Sequence, residues 1–157
     1  MFMPDQNNLS QLNFRFKLSI TPELEYRAQT VTIPGINLGA IASPTPFVPY
    51  YSAGNITYDE LSIKFMVGEN MADYLEIFNW MVHLGHPDDL GQYSNIKSDC
   101  SVFILNNNLQ PHIHVRFTDV FPISLSPIEF DSTLPEIQYA TSIVGFRFNR
   151  YYFDVMD

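Results

Sequence analysis

Residues 56–87 read ITYDELSIKFMVGENMADYLEIFNWMVHLGHP, and the hydrophobic period changes partway along. Leu61, Ile63, Phe65 and Val67 alternate with other residues, so Ile56 to Val67 is expected to be a strand with these four side chains on one face. Gly68 ends it. Asn70 stands at an N-cap position and Asp73 in a first turn, where the helix dipole favours a carboxylate. Met71, Leu75, Phe78 and Val82 then recur at spacings of four, three and four, and Tyr74, Ile77 and Met81 widen the stripe. Gly85 sits at a C′ position and Pro87 forbids continuation. The stretch predicts one amphipathic helix of about four turns, with Trp80 on the border between its polar and apolar faces.

Toward the N-terminus, Phe14, Phe16, Leu18 and Ile20 alternate with Arg15, Lys17 and Ser19. Thr21-Pro22-Glu23 reads as a turn and Tyr26 to Ile33 as a second strand, so the two are expected to form a β-hairpin. Residues 34–55 carry Pro34, Pro44, Pro46 and Pro49, and proline removes ladder donors. They are expected to be a long extended loop. The loop is rich in Ile36, Leu38, Ile41, Phe47, Val48, Tyr50 and Tyr51, unlike a disordered segment, and so is expected to be ordered by a partner. Toward the C-terminus, residues 86–99 read as a polar loop and Cys100 to Asn106 as a strand. Asn106-Asn107-Asn108 signals a turn, and His112 to Phe121 is the returning strand. Residues 122–135 are interrupted by three prolines, and Ile137 to Val155 reads as one long aromatic strand.

The pattern is that of a β-rich α+β fold, an antiparallel β-sandwich or open barrel of about six to eight strands with one flanking α-helix. Residues 1–13 form a polar arm, expected to be flexible, ahead of a single domain over 14–157. The arm lacks the basic start and apolar run of a signal peptide. No apolar stretch reaches the ~20 residues of a membrane helix.

Charge narrows the function classes. The chain has 157 residues, 8 Lys+Arg against 17 Asp+Glu, and a formal charge of −9. A duplex-binding or anionic-membrane surface needs clustered cations, which so few do not make. Charged residues are 16% of the chain and aromatics 15%. Few charges and many aromatics are the signature of surfaces covered by partners. The single cysteine, Cys100, makes no internal disulfide and sits in an apolar strand, as inert packing cysteines do.

Candidates for chemistry are weak. His112-x-His114 puts two imidazoles on one strand face, with His83 and His86 by the helix end, but no HExxH or cysteine pair completes a metal set. Asp88-Asp89 reads as solvated surface. No GxSxG, GxxxxGK[ST] or GxGxxG occurs. Phe146, Phe148, Tyr152 and Phe153 resemble a base-stacking platform, yet only Arg147 and Arg150 lie nearby in sequence, too few for a cationic groove. A carbohydrate-binding sandwich would use Tyr50, Tyr51 and Trp80 as stacking surfaces. The residues point to no enzyme, cofactor or metal.

The order of signals carries a resemblance. A strand ending in Val31-Thr32-Ile33-Pro34-Gly35-Ile36 leads to a Pro-rich loop and the strand Leu61-Ser62-Ile63-Lys64-Phe65. The helix bearing Trp80 follows, and Phe121-Pro122-Ile123-Ser124-Leu125-Ser126 precedes a final aromatic strand. Over about residues 12–155 this resembles the tail tube proteins of contractile-tailed phages of the T-even type, including the related baseplate protein that initiates the tube. The resemblance implies a homo-hexameric ring that stacks on itself, an inner β-barrel through which DNA passes without specific binding, and sheath and baseplate proteins as partners. It places the protein in the virion, assembled in the host cytoplasm, with no membrane. It assigns Phe47, Val48, Pro49, Tyr50 and Tyr51 to an inter-ring loop and Tyr139, Ile143, Phe146, Phe148 and Tyr152 to the barrel wall. Tyr74, Leu75, Phe78 and Trp80 fall on an outer helix.

Overall fold

A computed structural model describes residues 8–86 and 97–156. Nine strands and two helices follow one another along these residues. They are β1 (Phe14–Leu18), α1 (Pro22–Arg27), β2 (Ala28–Thr32), β3 (Ile36–Ser43), β4 (Tyr50–Tyr58), β5 (Leu61–Met66), α2 (Ala72–Gly85), β6 (Ser98–Leu105), β7 (Pro111–Leu125), β8 (Thr141–Arg147) and β9 (Arg150–Val155). Seven strands form one antiparallel sheet, and β3 and β4 form a separate two-stranded sheet. The Asp88-Asp89 pair and Pro87 lie outside the described residues, as do the first seven residues of the arm.

The seven-stranded sheet is folded into two layers by β7. The first half of β7 lies between β6 and β9, and its second half, Phe121 to Leu125, pairs with β8. One layer is therefore β1-β6-β7-β9 and the other β7-β8-β5-β2. The inward positions of both layers meet in one core. Phe16, Leu18, Cys100, Val102, Val115 and Phe117 come from the first layer, and Leu61, Ile63, Phe65, Val144 and Phe146 from the second. The alternation read from Leu61-Ser62-Ile63-Lys64-Phe65 matches the burial of β5 residue by residue.

The corner in β7 has a visible cause. Cys100 pairs with Phe117 and Ser98 with Val120, so β7 holds one residue more than β6 between the two pairs. This bulge puts Asp119 in the left-handed region, φ 54°, a conformation that Asp and Asn tolerate better than other side chains. The buried phase of β7 shifts there from Val115 and Phe117 to Val120 and Pro122. Asn149, at the joint between β8 and β9, donates from Nδ2 to Asp119 Oδ2 at 2.6 Å and from its amide to the Thr118 carbonyl at 3.0 Å. Replacing Asp119 by Val, which is β-branched and disfavoured at positive φ, is expected to cost about 1–3 kcal/mol in chemical unfolding. Asp119→Asn should stay close to the parent.

Several expectations are corrected. The expected hairpin of residues 14–33 does not form: β1 pairs with β6 and β2 with β5. Pro22 at the helix start, Glu23 and Glu25 in the first turn and Arg27 in the last turn support α1 instead of a turn and strand. This helix carries the chain from one layer to the other. The expected strand from Ile56 to Val67 is two strands, β4 and β5, and the expected loop at 34–55 is mostly the β3–β4 hairpin. Its prolines at 44, 46 and 49 all fall between the strands, where no ladder donor is needed. Pro122 lies within β7, not in an irregular segment. The expected strand from Ile137 to Val155 is β8 and β9, broken at Phe148 and Asn149.

Helix α2 forms where expected but is rotated. It buries Asp73, Ile77 and Trp80, whereas Leu75, Phe78 and Val82 of the expected core stripe are exposed. Asp73 accepts the Gly68 amide, and the Asn70 side chain accepts the Ala72 amide at 3.3 Å, with Met71 between them at φ 55°. That anchoring of the first turn sets the rotation. Glu76 has its pKa raised by burial, then by Glu23 and Asp73, with the Glu23 amide acting the other way. A carboxyl raised in the folded state contributes stability when protonated, and that contribution is lost as pH rises through the folded pKa. Glu76→Gln is therefore expected to raise the melting temperature at pH 7, with the gain shrinking as the pH approaches 4.5, the ordinary glutamate value.

Candidate assembly surface

The β3–β4 hairpin is the feature that a lone chain does not explain. Residues 36–58 contain no Asp, Glu, Lys, Arg or His. Every residue of β3 is exposed, and so are most of β4. The pairs Ile36–Tyr58, Leu38–Ile56, Ala40–Ala53 and Ala42–Tyr51 define one face of this ribbon. The extra β4 residue between Ala53 and Ile56 keeps both halves of that strand in phase with β3. A Cβ at Gly54 would lie 3.0 Å from the Gly39 carbonyl oxygen, so this close approach of the two strands favours a residue without Cβ. The face is apolar from end to end, while the opposite face mixes Asn37, Ser43, Ser52 and Thr57 with Ile41 and Tyr50. An isolated two-stranded ribbon is marginal in water, and beyond Tyr58 this one leaves its apolar face exposed.

The root of the hairpin is fixed. Asp59 donates its amide to the Gly35 carbonyl at 3.1 Å, and Arg147 donates to the Tyr58 carbonyl at 2.9 Å. Tyr151 donates its hydroxyl to the Pro34 carbonyl at 2.7 Å. The Tyr58 ring lies 5.6 Å from Phe148 and 5.3 Å from Tyr151, both of which pack on buried Phe117. The tip is held only locally, through the Thr45 hydroxyl donating to the Val48 carbonyl. Phe47 at the tip is 95% exposed, and Val48, Pro49, Tyr50 and Tyr51 are exposed as well. Tyr50 and Tyr51 project to opposite faces.

The other singled-out residues scatter. Ile143 is on the outward face of β8, Phe146 is in the core, Phe148 is in the β8–β9 joint and Tyr152 is exposed on β9. Tyr139 precedes β8 and is exposed. On α2, Tyr74 is half-buried, and Leu75 and Phe78 are exposed. Trp80 is 4% exposed, with its ring 6.0 Å from Phe146. A tryptophan buried there cannot stack on a sugar, which corrects its place in the carbohydrate-binding alternative. His114 stacks on Phe103 at 4.4 Å. Among the described residues no three His, Cys, Asp or Glu side chains converge on a metal position. Cys100 is buried, and burial pushes its thiol pKa upward, away from the nucleophilic thiolate. No described helix is long and apolar enough to cross a membrane.

No protein-family model and no curated protein sequence matches the chain. Solved structures do. A chain of the anti-feeding prophage cap, described as the tube terminating cap, is 16% identical with a TM-score of 0.73, over 99% of this chain and 97% of that one. A chain of the sheath–tube complex of an extracellular contractile injection system is 16% identical with a TM-score of 0.72, over 96% and 94%. A chain of the anti-feeding prophage baseplate, 6-fold symmetrised, is 12% identical with a TM-score of 0.67, over 99% and 98%. Likeness of this depth over nearly the full length of both chains gives this polypeptide the tail-tube fold.

Proposed function

We propose that the chain is a non-enzymatic structural subunit of a contractile-tail tube, closing with copies of itself into rings that stack. The observation that carries this reading is the uncharged β3–β4 ribbon, rigid at its root, with an apolar face that the monomer leaves in water. Large exposed apolar surface of this kind marks an interaction site. A second feature supports ring closure. Among the described residues, the layer β7-β8-β5-β2 ends on both sides in strands with one unpaired edge, at β2 and at Phe121 to Leu125 of β7. Different edges of successive copies meet head to tail, and such a contact closes when its rotation permits.

The finer reading is a homo-hexamer of a phage tail, with the layer bearing Ile143 in the wall of an inner barrel and sheath and baseplate proteins as neighbours. DNA passes through the lumen without specific binding. The net charge of −9 supports that part, since an acidic wall repels phosphate within about a Debye length, ~8–10 Å in physiological salt. Native mass spectrometry and negative-stain images of the concentrated protein test the assembly, with sixfold rings and stacks expected. A chain that stays monomeric at every concentration, and on a baseplate template, would overturn the proposal. Single rings that never stack would favour an initiator or terminating ring over the main tube.

A further inference from the structure

The eight Lys and Arg residues are thinly spread along the chain but not over its surface. On the outward face of the layer β1-β6-β7-β9 the strand register sets two rows of side chains across four strands. One row is Arg15, Phe103, His114 and Asp154, and the next is Lys17, Ser101, Arg116 and Tyr152. Arg150 follows on β9, opposite Thr118. Four of the eight cations thus share one face, while the alternate positions Phe16, Val102, Val115 and Phe117 of the same strands are in the core. Between the charges lies a flat aromatic centre. His114 stacks on Phe103 at 4.4 Å, and Arg116 lies over the Tyr152 ring at 5.5 Å. The carboxylates nearby are already engaged. Asp99 accepts the Asp119 amide at 3.4 Å, Asp119 accepts from Asn149, and Asp154 pairs with Arg116 at 3.9 Å. Among the described residues no carboxylate pairs with Arg15, Lys17 or Arg150, all of which are exposed.

We infer that this face is a docking surface for an acidic polypeptide segment of a partner protein, laid across the sheet with carboxylates on Arg15, Lys17 and Arg150 and an aromatic side chain on Phe103 and His114. Charge complementarity carries the match. The chain has a formal charge of −9, yet this face sets its cations against the sign of the rest and so draws an anionic segment to one place. Ionised donors make the stronger hydrogen bonds, and a guanidinium presents a fork that fits a carboxylate. Cations on an edge strand also deter strand addition. That role would account for Arg15 and Lys17 on β1 but not for Arg116, whose strand is paired on both sides. A polypeptide suits the face better than a nucleic acid does. Its carboxylates can be spaced to meet the cations, whereas a nucleic acid brings a phosphate with every nucleotide against Asp99, Asp119 and Asp154. Binding here does not require ring formation.

Fluorescence anisotropy of a short labelled peptide alternating Glu and Tyr tests this on the full chain at low protein concentration. The peptide should bind the parent, and its counterpart with Gln in place of Glu should bind at least about tenfold more weakly. R15E and R150E, from opposite edges of the sheet, should each weaken binding severalfold, and the R15E/R150E double variant by roughly tenfold or more. Both side chains are exposed, so parental unfolding midpoints are expected; should one reversal disturb folding, the other decides. Lys64→Glu changes the net charge by the same step on the other layer, where Lys64 is exposed, and should bind the peptide as the parent does. Equal binding of the Glu and Gln peptides, or a loss in K64E that matches R15E, would overturn the surface. An oligothymidylate bound as tightly as the Glu peptide would overturn the polypeptide partner. A chain that binds the peptide but never forms rings would remove the tube reading and leave this one standing.

Discussion

Replacing Phe117 by Ala is expected to destabilise the chain by about 3–5 kcal/mol, measured as a lowered urea midpoint at unchanged slope. Phe117 is fully buried, and its ring is stacked on Tyr151 at 5.3 Å and edge-on to Phe148 at 5.0 Å. Those two rings also hold Tyr58 at the root of the hairpin. The substitution removes the transfer energy of a buried ring and leaves a cavity under two aromatic neighbours that pack on it. A domain of this size has about 5–15 kcal/mol in total, so much of the stability goes. Phe117→Leu, which fills most of the volume, should cost well under half as much. A loss below about 1 kcal/mol for the alanine variant would mean that the aromatic cluster does not hold the two layers together.

The second large effect separates assembly from folding. Leu38→Asp places a carboxylate at the middle of the ribbon's apolar face, opposite Ile56. In the monomer that position is 60% exposed, so the unfolding free energy should change by no more than about 0.5 kcal/mol. In a stack the same carboxylate is taken out of water among apolar side chains of its own ribbon, none of which can pair with it, since residues 36–58 contain no charged residue. Loss of one interface anchor costs about 2 kcal/mol or more, which raises the concentration needed for assembly by roughly 30-fold. The contact repeats in every ring, so sedimentation should show monomer where the parent sediments as assemblies. A variant that assembles normally would show that this face stays in water; one that unfolds would show that it packs on its own chain.

How far the sequence alone reached depends on the range of the interaction that decides each element. The alternation of β5, the Asn106 turn and the place of α2 depend on period and turn chemistry, and these were legible. The Asn106 side chain accepts the amides of Asn108 and Gln110 at 2.9 and 3.0 Å, a turn its own sequence dictates. The hairpin at 36–58 was half legible. Its aromatics pointed to a partner, but the prolines at 44, 46 and 49 masked two strands because their spacing does not say which of them flank a turn. Phe47 to Tyr51 were singled out by the resemblance to tail tube proteins, not by period or spacing. The shared apolar face of β3 and β4 was not legible, because a bulge decides which residues share a face.

The same division holds for the whole chain. By itself the sequence determined a β-rich antiparallel domain with one long helix and an uncharged aromatic segment set apart from its core, because alternation, breakers and composition act over a few residues. Only the tertiary structure decided that β1 and β2 belong to different layers and that β7 bends from one into the other at Asp119. It also decided that α2 buries Trp80 and leaves Phe78 outside. Strand partners and helix rotation are chosen by packing among distant residues: a turn at 21–23 is compatible with a hairpin until α1 and the core around Phe65, Phe117 and Phe146 compete for the same strands.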